Sequence, residues 1–250
     1  MTLVFVVINK AMLRYRRLFN YFILQEVLGL VFLLFTAGYL QLLVIFFKIG
    51  VAPLHFWVFR VLNGVYGFNL MWFLTFQKLP FLVILLQLMD SFYVVLLLVG
   101  LLVCLMQMLL MKSYKNLLIL SSTESFNWVV VGYVMSFLSV FVIFMYYFIL
   151  MLYIIPKFEE GFGLNYIGWE TMLVFINLPL SVNFYVKIFA LSELLHVFNV
   201  WVLIILFLMF MSVLSLGYWI VNLSVLGGTS FKYRKFGFYV FFPMMFVVLL

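Results

Sequence analysis

Runs of about 18 to 25 apolar residues follow one another along the whole chain, and this pattern constrains the fold more than any other feature. As a helix, each run is long enough to cross a hydrocarbon core of about 30 Å. Of the 250 residues, 69% are hydrophobic and 8% are charged, whereas a soluble domain is roughly half apolar. No alternation typical of barrel strands interrupts the runs, so we expect a helical membrane protein and exclude a soluble fold.

Glycine, asparagine, proline and charged clusters divide this apolar sequence into nine predicted spans. An additional apolar stub at residues 2–8 is too short to cross at about 1.5 Å per residue. We therefore predict an all-α polytopic bundle of nine to ten spans in one transmembrane domain, residues 1–250. Residues 1–18 would form the stub and a basic loop, and residues 19–250 the bundle. The spans lie at residues 21–38, 39–62, 68–88, 91–111, 117–137, 140–155, 169–195, 199–221 and 236–250.

The distribution of basic residues gives the expected topology. If successive spans cross the membrane in opposite directions, eleven of the 14 Lys and Arg residues lie on one side of the membrane. Asp90, Glu193 and His196 then lie on the other side. Because Lys and Arg are enriched on the side from which a membrane protein is inserted, the basic face should be cytoplasm or mitochondrial matrix. The net charge of +7 reflects this topology, and we expect no nucleic-acid partner.

Three lysines lie inside the predicted spans, namely Lys48, Lys78 and Lys187. An ammonium near the bilayer centre costs about 2.5 to 3.5 kcal/mol on insertion scales, so such residues usually face the bundle interior or a wet cavity. Snorkelling to the interface would relieve one of them but hardly all three. Loss of hydration also favours the neutral amine, which can accept a proton. The three lysines are therefore candidates for proton translocation.

Helix-breaking residues accompany two of these lysines. Gly50 and Pro53 follow Lys48, and Pro179 stands eight positions before Lys187. Proline removes a backbone donor, and broken helices at membrane depth are tolerated where they line a cavity or a site. We predict two broken helices beside an ion path.

Other polar residues allow two interpretations each. Glu26 and Glu124 either pair with a lysine or pass protons, or else lie near the basic face in contact with solvent. His55 is either a relay or a hydrogen-bonded core residue, and Gln25 is a second candidate relay. The single cysteine, Cys104, excludes a disulfide framework or a thiolate-ligated cluster built from this chain alone, and we expect a buried structural thiol. The six tryptophans mostly lie toward span ends, where we expect headgroup-level rings.

Four motifs follow one another along the chain, namely KIGVAPLHFW at residues 48–57, LTFQKLP at 74–80, the serines at 121 and 122 with Trp128, and Leu178-Pro179 leading to Phe184 and Lys187. Their order and spacing resemble those of the mitochondrial NADH dehydrogenase subunit 2 family, the antiporter-like membrane subunits of respiratory complex I. Tyr21, Phe22 and Gln25 also match the polar helix that precedes the first lysine motif in that family. The resemblance runs from about Asn20 to the end of the sequence.

The resemblance implies two inverted helical repeats, each with a broken helix, and a hydrophilic axis that contains the three lysines. It implies proton pumping driven by NADH oxidation and quinone reduction in other subunits, which would hold the NADH site, FMN, iron–sulfur clusters and ubiquinone. This chain would hold no cofactor. Its partners would be other membrane-arm subunits and the lipid bilayer, including cardiolipin. Its expected location is the mitochondrial inner membrane, with the basic loops facing the matrix.

The sequence departs from the family pattern at two points. The family has a glutamate on the helix before Tyr21 that pairs with the first lysine, but here that helix is reduced to residues 2–8 without an acid. We therefore expect an N-terminally shortened bundle, in which either the true start lies upstream or Glu26 replaces the family glutamate. A histidine usual in the family is also replaced by Ser125, beside Glu124.

Two other classes of function compete with this interpretation. A free-standing cation/proton antiporter or another secondary transporter would share the lysines and broken helices, and co-purification with complex I subunits separates the two. A haem-binding cytochrome subunit would need paired axial histidines. His55 and His196 fall near opposite faces on the predicted threading, which disfavours that class.

Overall fold

The computed structural model describes residues 15–63, 65, 67–89, 91–111, 113–132, 137–160, 182–198 and 201–227. These residues form ten helices, which confirms the predicted all-α class. The helices are α1 (Tyr15–Leu34), α2 (Gly38–Ile49), α3 (Phe56–Leu62), α4 (Phe68–Leu74), α5 (Leu79–Leu88), α6 (Ser91–Leu110), α7 (Tyr114–Val131), α8 (Phe137–Glu160), α9 (Val182–Phe198) and α10 (Trp201–Gly227).

Large apolar side chains cover the outer surface of the bundle as well as its core. Leu33 and Leu34 of α1 are 76% and 77% exposed, and Phe207 and Phe210 of α10 are 57% and 54% exposed. Such surfaces are unfavourable in water but suit lipid or partner helices. By length and composition, the stretches Phe68–Leu88 and Tyr93–Leu110 are able to cross a membrane, and several shorter apolar helices accompany them.

Most predicted spans have a corresponding helix with shifted ends. The span at 91–111 matches α6 closely, whereas α1 begins six residues earlier than predicted, at Tyr15, and α10 extends six residues beyond its predicted end, to Gly227. Helix α8 extends to Glu160 and contains Pro156. The stub at 2–8, the span at 236–250 and the first part of the span at 169–195, with Pro179, lie outside the described residues.

Two predicted spans are broken into paired helices. The span at 39–62 divides into α2 and α3 around the turn at 50–55, which confirms the predicted break at Gly50 and Pro53. The span at 68–88 was predicted as continuous, and this was wrong: turns at 75–78 separate α4 from α5. Pro80 lies in the first turn of α5. The N–H groups of a first turn have no carbonyl partner within the helix, so the lack of an N–H in proline costs no hydrogen bond there. Lys78 therefore stands directly before a helix start.

At the first break, the last backbone carbonyls of α2 lack a helical N–H partner, and other groups donate hydrogen bonds to them. Gly50 adopts the left-handed conformation, with φ of 77°, and its N–H closes the last turn of α2. The indole nitrogen of Trp57 donates to the carbonyl of Phe47 at 2.9 Å, and the amide of Gln25 donates to the carbonyl of Lys48 at 3.0 Å. In a membrane these hydrogen bonds are required, since no water is available to bind the free carbonyls.

Helices α6 and α7 enclose the turn at 50–55. The backbone N–H of Ala52 donates to Asn127 Oδ1 of α7 at 3.3 Å. On the other side, Gly100 of α6 leaves no room for a side chain, because a Cβ there would overlap the backbone carbonyl of Ala52. The break is thus held between two neighbouring helices.

Two contacts agree with the predicted threading. Lys115 donates to the carbonyl of Val65, and the threading places both on the basic face. Tyr93 donates to the carbonyl of Tyr39 at 2.8 Å, and both fall on the opposite face. Each contact therefore joins two residues that the predicted threading places at the same end of the bundle.

Candidate functional site

Helix α7 carries a concentration of buried polar side chains. Ser121, Ser122, Thr123, Glu124 and Asn127 are all 5% exposed or less. The three hydroxyls each donate to the carbonyl three residues earlier, at 2.7 to 2.9 Å, which satisfies them within the helix. The helix packs against α3, α6, α8 and α9, so its carboxylate and amide face neighbouring helices instead of lipid.

Glu124 forms a buried ion pair with Lys187 of α9. Lys187 Nζ lies 2.6 Å from Glu124 Oε1, and the two side chains are 1% and 0% exposed. Trp128, one turn further along α7, donates its indole N–H to the same oxygen at 3.2 Å. A buried charge requires such compensation. Of the two interpretations of Glu124, the structure supports pairing with a lysine, since the carboxylate has no contact with solvent.

Lys78 occupies the break between α4 and α5 and is 4% exposed. Its Nζ donates to the carbonyl of Ser122 at 3.4 Å and lies 4.8 Å from the ring centroid of Phe126. The ring of Tyr147 is 5.8 Å away, and its hydroxyl donates to the carbonyl of Leu74 at the end of α4. Aromatic faces and one carbonyl thus surround this ammonium, an environment that stabilises a cation less than a carboxylate does.

Lys48 is half-buried at the end of α2 and faces α1. Its Nζ lies 5.4 Å from the ring centroid of Phe81, and a Cβ at Gly29 of α1 would come within 3.4 Å of Nζ. Glu26 lies three residues before Gly29, on an exposed part of α1, and its negative charge acts on Lys48. The structure therefore brings Glu26 into the electrostatic neighbourhood of Lys48.

A hydrogen bond connects α1 to the second lysine motif. Gln77, the residue before Lys78, donates to the hydroxyl of Tyr21. Tyr21 is 1% exposed and stacks on Trp57 with ring centroids 6.0 Å apart. Through Tyr21 and Gln25, which binds the carbonyl of Lys48, one face of α1 contacts both lysine-bearing breaks.

His55 and Cys104 are hydrogen-bonded core residues. His55 is fully buried, its Nε2 lies 2.7 Å from Gln107 Oε1, and its ring stacks on Phe56. The Cys104 sulfur lies 3.4 Å from Thr123 Oγ1, and the expectation of a buried thiol is confirmed. For His55, this geometry fits the core interpretation and also leaves it at the edge of the turn at 50–55.

Curated relatives of the chain share one name. A protein of Caenorhabditis elegans, NADH-ubiquinone oxidoreductase chain 2, is 51% identical over 246 residues, which cover 98% of this chain and 87% of the relative. The protein of the same name from Ascaris suum is 45% identical over 249 residues, with 98% and 82% covered. The chain belongs to the NADH-ubiquinone oxidoreductase chain 2 family. The resemblance predicted from the motifs is thus confirmed. No protein-family profile matches the chain.

The fold of this chain 2 family member is also that of a known structure. A chain in the structure of respiratory complex I from Thermus thermophilus with bound aureothin superposes with a TM-score of 0.67. The sequences are 16% identical, and the match covers 94% of this chain and 66% of that chain. This likeness confirms the predicted helical fold, while the exposed apolar side chains and the family assignment indicate a membrane-embedded chain.

Two residues of the site, Asn127 and Gly100, were not predicted from the sequence, since neither stands out as an isolated charge does. Tyr21 and Gln77 were noted as parts of motifs, but the contact between them was not predicted. Two of the tryptophans face the bundle interior. Trp57 and Trp128 are 9% and 2% exposed and donate to acceptors inside the bundle.

Proposed function

We propose that the chain is a proton-translocating subunit of the membrane arm of NADH:ubiquinone oxidoreductase. The observation that supports this most strongly is the buried ion pair between Lys187 and Glu124. Buried ionisable residues in membrane proteins are expensive and mark ion or proton paths. Two further lysines, Lys48 and Lys78, lie beside helix breaks of the kind that line such paths.

The proton path would follow the ionisable groups in and around the bundle interior. Lys48, with Glu26 beside it on α1, would exchange a proton at the first break, and Lys78 would hold one at the second. Lys187 and Glu124 would exchange a proton directly across their 2.6 Å contact. Gln25 and His55 would orient neighbouring groups, while Gly50 and Pro53 would shape the first break. Changes in the charge of one group alter the proton affinity of the next, which couples the steps.

The chemistry of oxidation would be supplied by other subunits of the complex. In this proposal NADH, FMN, the iron–sulfur clusters and ubiquinone bind elsewhere, and this chain carries no redox centre. Its amines, carboxylates, amides and hydroxyls are groups suited to holding and passing protons. The whole chain would form one transmembrane domain in the mitochondrial inner membrane, with its basic loops toward the matrix. Its neighbours would be membrane-arm subunits and lipid, including cardiolipin.

A test of this function replaces Lys48 with methionine, which has similar length but no charge. In the assembled complex, Lys48→Met should reduce proton pumping and coupled quinone reduction by about tenfold or more. NADH oxidation by an artificial electron acceptor should remain normal, because that reaction bypasses the membrane arm. Lys187→Met should behave in the same way where it assembles. The control is Arg60→Gln, which changes an exposed basic residue at the end of α3.

Normal pumping in Lys48→Met would show that this lysine has a structural role only. The proteins that co-purify with the chain distinguish this proposal from a free-standing antiporter. Purification through a tag on this chain should recover flavin and iron–sulfur cluster subunits in a single large assembly. Recovery of an isolated chain that transports cations by itself would overturn the proposal.

A further inference from the structure

Two buried side-chain atoms of α7 have complementary hydrogen-bonding needs. Glu124 Oε2 is an acceptor and Asn127 Nδ2 is a donor, and neither has a hydrogen-bond partner among the residues that the structure describes. Both residues are 0% exposed. A buried polar group without a partner is costly, so each of these atoms calls for a ligand.

The other polar atom of each side chain already has hydrogen-bond partners. Glu124 Oε1 accepts from Lys187 at 2.6 Å and from Trp128 at 3.2 Å, and Asn127 Oδ1 accepts from the backbone N–H of Ala52 at 3.3 Å. These contacts orient the carboxylate and the amide. Since residues three apart on a helix are neighbours on its surface, the side chains of Glu124 and Asn127 leave α7 on the same side.

We propose that Glu124 Oε2 and Asn127 Nδ2 together bind one buried water molecule. The water would accept a hydrogen bond from Nδ2 and donate one to Oε2. A cation would be repelled by the amide N–H groups, and an anion by the carboxylate, whereas water both accepts and donates. Buried waters typically bridge polar groups that the protein leaves unsatisfied.

This water would join two parts of the site that the protein alone leaves separate. Asn127 binds the turn at 50–55 through Ala52, and Glu124 binds Lys187 of α9. A water between them connects the first helix break to the buried ion pair. Asn127 is then a positioning residue for proton transfer, and this role rests on the proposed function of the chain.

The proton transfer at this site is balanced at each group. Asn127 holds the water but does not itself carry the proton. A hydronium ion at this position gives one proton to Oε2, and a neutral water molecule remains. Glu124 becomes a neutral carboxyl group, so Lys187 loses its counter-charge. The ammonium then more readily gives its own proton to a water molecule, which leaves a neutral amine and a hydronium ion. The reverse sequence restores the ion pair.

The first test is a cryo-EM map of the assembled complex at a resolution that shows ordered water. We expect density for one water at about 2.6 to 3.2 Å from both Oε2 and Nδ2. A direct hydrogen bond between the two side chains, or the lack of such density, would overturn the proposal. This result does not depend on whether any variant assembles.

The second test replaces Asn127 with leucine, which has similar size but no donor. Asn127→Leu should remove the water density, leave the contact between Lys187 and Glu124 in place, and reduce the rate of proton pumping by about tenfold, the scale of a lost charge-assisted hydrogen bond. Asn20→Leu is the matched control, because Asn20 is the same residue type at an exposed position of α1. Its pumping should be normal.

Asn127→Asp keeps an acceptor for Ala52 and replaces the amide donor with a carboxyl oxygen, which also adds an ionisable group beside Glu124. In the assembled variant, pumping should show a changed kinetic isotope effect in deuterated water. Normal pumping with an unchanged isotope effect would overturn the role of Asn127. If Lys48→Met is impaired and the Asn127 variants are normal, only this inference fails; if Lys48→Met is also normal, the proposed function fails too.

Discussion

Gly100 of α6 lies directly against the backbone carbonyl of Ala52 in the turn between α2 and α3. This close approach is possible only because glycine lacks a Cβ. The turn therefore depends on a residue that is distant in sequence and has no chemistry of its own.

Gly100→Ala should displace the turn at 50–55 and impair assembly. The added Cβ overlaps backbone and not a flexible side chain, so the strain cannot be relieved by a rotamer change. We expect a loss of about 1 to 3 kcal/mol, measured as a lowered thermal stability of the assembled complex. Gly217→Ala in α10 is the control, because nothing lies within 4 Å of a Cβ there. Equal stability of the two variants would contradict the packing of α6 against the turn.

Trp57→Phe should destabilise the first break without leaving a large cavity in the core. Phenylalanine keeps an aromatic ring beside Tyr21 and Phe73 but cannot donate to the carbonyl of Phe47. A buried carbonyl left without its donor costs about 1 to 3 kcal/mol. Thermal unfolding of the complex measures this loss. Phe56→Leu, at an exposed neighbouring position, should have little effect.

Removal of one partner of the buried ion pair should cost more than removal of both charges. Lys187→Met leaves the Glu124 carboxylate buried without its ammonium, at a cost of about 3 to 5 kcal/mol. The double variant Lys187→Met with Glu124→Gln carries no buried charge at this site and should recover part of that stability. Comparison of the yields and thermal stabilities of the assembled complexes tests this. A double variant less stable than Lys187→Met would mean that the two residues act independently.

Glu26→Gln should weaken proton pumping if Glu26 takes the place of the family glutamate near Lys48. Glutamine keeps the size of the side chain but removes the negative charge that acts on Lys48. The effect should disappear when Lys48 is already methionine, because the charge then has no target. Additive losses in the double variant would show that Glu26 acts elsewhere.

The sequence predicted those parts of the structure that depend on local physical chemistry. The break after Lys48 followed from Gly50 and Pro53 in one short segment, and most spans followed from their apolar length. The break before Lys78 was missed although Pro80 stands two positions away, because a proline in a first turn is also compatible with a kinked continuous span. The pairing of Glu124 with Lys187, 63 residues apart, depends on how α7 and α9 pack. A single sequence contains no direct measure of that packing.

Lys78 tests the central claim, that the buried lysines carry protons, because it is 4% exposed and lies at a helix break. The decisive measurement is the number of protons translocated per NADH oxidised by the reconstituted complex with Lys78→Met. We predict that this ratio falls while the complex assembles and oxidises NADH with an artificial acceptor at the normal rate. An unchanged ratio in the assembled variant would contradict the role of the lysine axis in proton translocation.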